Sequence, residues 1–132
     1  MTYNLRNFMC IRRYLKAAIK PWRDAIIKAQ RGRCRISQQY RHVDVHHVSK
    51  SFSAIIKETF AVTGIAYRPE TCDYTPEELA LLAATCLDLH RNVIGVLVAR
   101  RLHEEYHRQY NECTADNWRE FKRQYKPRRR VS

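Results

Sequence analysis

His46 and His47 stand side by side in "VDVHHVSKSF", and His103 and His107 stand four apart in "ARRLHEEYHRQY". Residues four apart on a helix share a face, so the imidazoles of His103 and His107 can reach one point. Converging neutral imidazoles are a common way to hold a divalent transition metal. Each pair also has an ordinary reading. A histidine doublet at a strand end can be two polar residues. His103 and His107 can be the solvated flank of a helix whose apolar stripe is Val98, Leu102, Tyr106 and Tyr110. The elements around the histidines decide between these readings.

Hydrophobic periodicity makes most of those elements legible. Residues 1–31 read as basic helices, with Phe8, Ile11, Leu15, Ala18 and Ile19 at helical spacing and arginines on the other side. Pro21 interrupts the helix and restarts it from a tolerated first-turn position. Gly32 stops the second helix, and Val43 and Val45 alternate into the histidines as a short β segment. A helix from about Ser51 carries the stripe Phe52, Ile55, Ile56, Thr59 and Phe60 and ends at Thr63-Gly64. "YTPEELALLAATCLDLH" opens with Thr75 at the N-cap, Pro76 in the first turn and Glu78 at the capping-box position. Its stripe is Leu79, Leu82, Ala83, Cys86 and Leu89. "NVIGVLV" is a second β run leading into the His103/His107 helix, where Asn111 suits a left-handed helix end. Thr114 caps a last short helix.

At 132 residues, the chain is expected to form one domain. The fold class is α+β, mostly helical. A basic helical segment (1–31) precedes a core at 32–110 with a helical insertion at 50–90. A C-terminal helix (114–125) and a basic tail (126–132) follow. No apolar run approaches the roughly 20 residues of a membrane span, and the N-terminus lacks a signal-peptide pattern. The five cysteines (Cys10, Cys34, Cys72, Cys86, Cys113) form no CxxC pair, and Cys10 and Cys86 fall on helical apolar faces. That usage suits reduced thiols, so a soluble cytoplasmic protein in a reducing compartment is expected.

Net charge is +12, distributed as +10 over residues 1–41, −4 over 42–90 and +6 over 91–132. Localised basic surface is the footprint expected for a polyanion, and nucleic acid is the leading partner class. Arg12, Arg13, Lys16, Lys20, Arg23, Lys28, Arg31, Arg33 and Arg35 are candidate phosphate contacts, as are Arg100, Arg128, Arg129 and Arg130. No separate sequence-reading module is legible, so targeting is left to nucleic-acid structure or to a protein partner.

A strand ending in two histidines, a second β run near Asn92 and an H-x-x-x-H helix follow one another in a familiar order. The pieces "CRIS", "VDVHHVSKSFSAII", "LHRNVIGVLVARRLHEEYHRQY" and "TADNWREF" together resemble the HNH nuclease family, notably its small phage- and intron-associated members. The resemblance spans about Trp22 to Tyr125. It implies a ββα-metal core with a short two-stranded hairpin, an inserted helical pair and added basic helices. It further implies a metal-dependent endonuclease, of homing type or otherwise phage-encoded, that nicks or cuts DNA as a monomer or homodimer. RNA is a weaker substrate candidate.

On that resemblance His46 is a metal ligand, His47 the general base, and His103 and His107 complete a site for one divalent ion. Mg²⁺ or Mn²⁺ is expected, with Zn²⁺ or Ni²⁺ also compatible. Asp44, two residues before His46, is placed to orient an imidazole from behind. The middle position of the triad is open between Asn92 and His90. The chain departs from the family pattern at Gln38, where a glycine often follows the serine, and in lacking a second cysteine for a zinc knuckle. A non-catalytic nucleic-acid or ribonucleoprotein binder that keeps the fold is the alternative, and retention of all four histidines separates the two.

Overall fold

Six α-helices and one antiparallel pair of strands form over residues 9–125, the part of the chain that the computed structural model describes. Phe8, Arg128, Arg129 and Arg130 lie outside the described residues. The helices are α1 (Ile11–Ala18), α2 (Lys20–Ala29), α3 (Phe52–Thr63), α4 (Pro76–Leu89), α5 (Arg100–Gln109) and α6 (Ala115–Tyr125). The strands are β1 (Val43–His47) and β2 (Gly95–Ala99). The chain is therefore α+β and mostly helical, as its periodicity predicts. No helix among the described residues is long and apolar enough to cross a membrane.

The chain divides into two compact units, one of Met1–Asp24 with Phe52–Asn92 and one of Ala25–Ser51 with Val93–Ser132. In the first, α4 packs against α1 and α3. Ile11, Leu15 and Ile19, Ile55 and Ile56 of α3, and Leu79, Leu82 and Cys86 of α4 are all buried. Thr75 accepts from the Glu78 backbone N–H at 3.1 Å while the Glu78 carboxylate accepts from the Thr75 N–H at 2.9 Å, so the expected capping box is present. Gly64 follows α3 at φ 71°, a left-handed position where glycine has no Cβ penalty. Cys10 is not on the apolar face that its spacing suggested. It is exposed and caps α1, its sulfur accepting from the Arg13 N–H at 3.4 Å, because the chain leaves the helix there to bridge Glu70.

In the second unit β1 and β2 pair antiparallel, with Val45 opposite Leu97, His46 opposite Val96 and His47 opposite Gly95. Two strands alone are marginal in water, and this pair is supported by α5 packed against both. The outer edge of β2 is also closed. The Gln30 side-chain amide donates to the Gly95 carbonyl at 3.0 Å and accepts from the Leu97 N–H at 2.8 Å, and the Arg35 N–H bonds the Leu97 carbonyl at 2.8 Å. Such closure removes the unpaired edge that invites strand addition. Leu102, Tyr106, Trp118 and Phe121 close the core with Cys34, Ile36, Val48, Val98 and Ala99. Fully burying each such large apolar side chain is worth about 1.5–3 kcal/mol.

Cys34 is buried and its sulfur accepts from the N–H groups of Ile36 at 3.3 Å and Ser37 at 3.2 Å. Burial pushes this thiol up, but hydrogen bonds from Ser37 and Ile36 outweigh it and hold the group below its ordinary value. The turn closes with Gln38 at φ 67°, which explains why a glycine suits that position: only glycine takes it without strain. Cys34→Ala should cost about 1–3 kcal/mol, because it leaves these N–H groups without an acceptor. Urea unfolding measures this, and Cys34→Ser should recover part of the loss.

Candidate metal centre

The second unit brings His46, His103 and His107 together through the strand pair and the helix that follows it. β2 runs into α5 with no intervening loop, and the Arg100 N–H at the helix start donates to the His42 carbonyl at 2.7 Å. This joint fixes the first turn of α5 against the beginning of β1. The four-residue spacing then stacks His103 and His107 on one face, their rings 4.8 Å apart. Alternation along β1 turns His46 toward that face, 5.1 Å from the His103 ring and 5.6 Å from the His107 ring.

His46 is fully buried, against the rings of Tyr106 at 4.3 Å and Trp118 at 4.9 Å. Neither of its ring nitrogens has a hydrogen-bond partner among the described residues. Burial, followed by the neighbouring His103, His107 and His47, pushes its pKa down to about 3. The ring is therefore neutral, with a lone pair available. His107 is lowered as well, by burial and by His103.

Asp44 supports His103 rather than His46. Its carboxylate lies 3.3 Å from His103 Nδ1 and 3.4 Å from Arg100 Nε. A proton held on Nδ1 by that carboxylate leaves the His103 Nε2 lone pair free, and Nε2 lies 3.1 Å from His107 Nε2. A carboxylate behind an imidazole is the usual support of a metal-binding histidine. At that distance His107 Nε2–H can donate to the His103 lone pair, or a cation can be shared by the two rings.

Cys113 is the residue that the sequence reading missed. His46, His107 and Cys113 each bring one donor atom to within 4.8 Å of the others. Burial pushes the Cys113 thiol up. The five-residue link from Tyr110 to Thr114 sets its place. The expected left-handed end at Asn111 does not occur: α5 ends at Tyr110 in extended geometry, φ −125° and ψ 132°. The reason is local pairing, since the Tyr106 hydroxyl and the Asn117 amide both donate to the Glu112 carbonyl, at 3.0 and 3.1 Å. The Thr114 hydroxyl accepts from the Asn117 N–H at 3.0 Å, as its capping role predicts.

Comparisons with protein-family models, with curated proteins and with solved structures find no match to this chain. His47, half-buried at the end of β1, faces away from His46 by strand alternation, and Gly95 opposite it presents no side chain. His90 belongs to the first unit, where it is buried with Nδ1 2.7 Å from the Cys86 carbonyl and its ring against Trp22 at 4.8 Å and Phe52 at 5.9 Å. Burial lowers its pKa. Asn92 is the exposed last residue of that unit.

The candidate phosphate contacts divide between the units. Arg12, Arg13, Lys16, Lys20 and Arg23 fall in the first, where Lys20 pairs with Asp24 at 2.6 Å and Arg12 bonds Ser53 at 3.0 Å. Lys28, Arg31, Arg33, Arg35 and Arg100 fall in the second. Over the described residues the first unit carries eight Lys/Arg against seven Asp/Glu, and the second twelve against six. The excess positive charge thus goes with the histidine cluster, a grouping hidden by the linear order of the chain.

Proposed function

We propose that the chain is a metal-dependent phosphodiesterase of the HNH type acting on DNA, with His46, His103 and His107 holding one divalent ion and His47 serving as base. The observation that carries this reading is His46. A fully buried imidazole with both nitrogens unpartnered costs stability, and such groups in a native fold call for an explanation. A cation shared with His103 and His107 supplies one.

The residues divide the work by exposure. His46 is closed to solvent and neutral, which suits a ligand and rules it out as a carrier of protons to water. His47 is partly open, and an imidazole is the side chain best suited to take a proton from water near neutral pH. Asp44 holds the His103 ring in the tautomer that leaves Nε2 free. The resemblance leaves the middle, bracing position to Asn92 or His90. A bound divalent ion supplies Lewis-acid stabilisation of the charge that develops on the scissile phosphate and the leaving oxygen. The basic second unit supplies phosphate contacts, which give affinity and salt dependence rather than sequence readout.

Purified protein with Mg²⁺ or Mn²⁺, and with Zn²⁺ and Ni²⁺ in parallel, should convert supercoiled plasmid to nicked or linear DNA. Absence of cleavage on DNA and RNA with all four ions overturns the reading. DNA binding without cleavage identifies the chain instead as a non-catalytic nucleic-acid binder.

A further inference from the structure

The geometry points to Cys113 as a thiolate ligand beside His46 and His107, and so to a zinc-class ion as the resident metal rather than Mg²⁺. The inference rests on the metal-binding half of the proposed function and is independent of cleavage. Three donors of matching chemistry already lie within 4.8 Å of one another. Zinc-to-sulfur and zinc-to-nitrogen bonds of about 2.3 and 2.0 Å put tetrahedral donors about 3.5 Å apart, so closure needs shifts of about an ångström. Small side-chain rotations supply that.

Two further observations support the assignment. The His46 ring, one of these three donors, is fully buried and unpartnered, which points to a ligand independently of the cysteine. The backbone on both sides of Cys113 is also tied down, at Glu112 by Tyr106 and Asn117 and at Thr114 by the α6 cap. Cys113 is a free thiol. The Asp44 carboxylate is engaged by His103 and Arg100. Mg²⁺ prefers oxygen donors in octahedral array, whereas a thiolate with imidazoles selects zinc and its cobalt surrogate. On binding, the Cys113 S–H bond breaks, its proton passes to the buffer, and the sulfur lone pair forms the bond to the ion.

Cobalt(II) titrated into the metal-stripped full chain tests this without nucleic acid. The wild type should develop a near-ultraviolet sulfur-to-cobalt charge-transfer band, abolished stoichiometrically by zinc and untouched by excess Mg²⁺. Cys113→Ser should lose the band and bind cobalt more weakly by at least the about 10–100-fold typical of supporting residues. A second measurement needs no variant: zinc should protect Cys113 of the wild type, but not the exposed Cys10 or Cys72, from alkylation mapped by mass spectrometry. A band that persists in Cys113→Ser, a wild type without the band, or Cys113 alkylated equally with and without zinc overturns the assignment. Cleavage with the thiol uninvolved leaves the nuclease reading standing, and a thiolate–cobalt band without cleavage leaves this one.

Discussion

Replacing His47 with alanine should lower the rate of plasmid cleavage by about 10²–10⁴-fold, the usual contribution of a positioned general base, while the divalent ion stays bound. The contrast with its neighbour follows from burial. His46 is enclosed by Tyr106 and Trp118 and faces His103 and His107, whereas His47 stands at the strand end with Gly95 across from it. His46→Leu should therefore abolish ion binding and cleavage together. Metal content after dialysis and single-turnover nicking measure the two effects separately. Equal loss of ion in both variants would mean that His47 is a ligand, and unimpaired cleavage by His47→Ala would remove it from the chemistry.

Metal-stripped protein should lose stability steadily as the pH falls from about 6.5 toward 3. The folded His46 has a pKa pushed down to about 3, and an unfolded histidine titrates near 6.5. Between those values the unfolded chain binds a proton that the folded chain does not. Stability is thus fully present above the unfolded value and declines by about 1.4 kcal/mol for each pH unit below it. His90 and His107 are lowered too and act in the same direction. A loss of several kcal/mol is a large share of the roughly 5–15 kcal/mol that holds a domain together. Urea midpoints measured from pH 7.5 to pH 4 in chelator should show the slope. His46→Leu should flatten it and raise stability at pH 5, since it replaces an orphaned polar ring with an apolar side chain. An unchanged slope in that variant would mean that the buried imidazole is not what titrates.

These two results pull in opposite directions at one residue. His46→Leu is expected to make a more acid-stable protein that no longer holds its ion. A position where the stabilising substitution removes the proposed function is what a ligand buried without its metal should look like.

The chain shows on its face whatever depends on neighbours in sequence. The α3 and α4 stripes, the Thr75–Glu78 capping box, Gly64 after α3 and the shared face of His103 and His107 all follow from interactions within a few residues. The alternation of Val43 and Val45 into the doublet likewise placed β1. Long-range contacts were decided elsewhere. Asp44 meets His103 from 59 residues away, Gln30 closes the β2 edge from 65 and 67 residues away, and the His90 ring packs against Trp22 and Phe52. Cys113 carries no ligand spacing that a pattern could find, and hydrogen bonds to the Glu112 carbonyl set its place. By itself, then, the sequence determined which four histidines to watch and which elements bear them, because helix and strand periods act locally. Only the tertiary structure decided that His46 is sealed and unpartnered, that a cysteine adjoins it, and that the basic charge gathers on the same unit. Burial and convergence belong to the packed chain, and no local period encodes them.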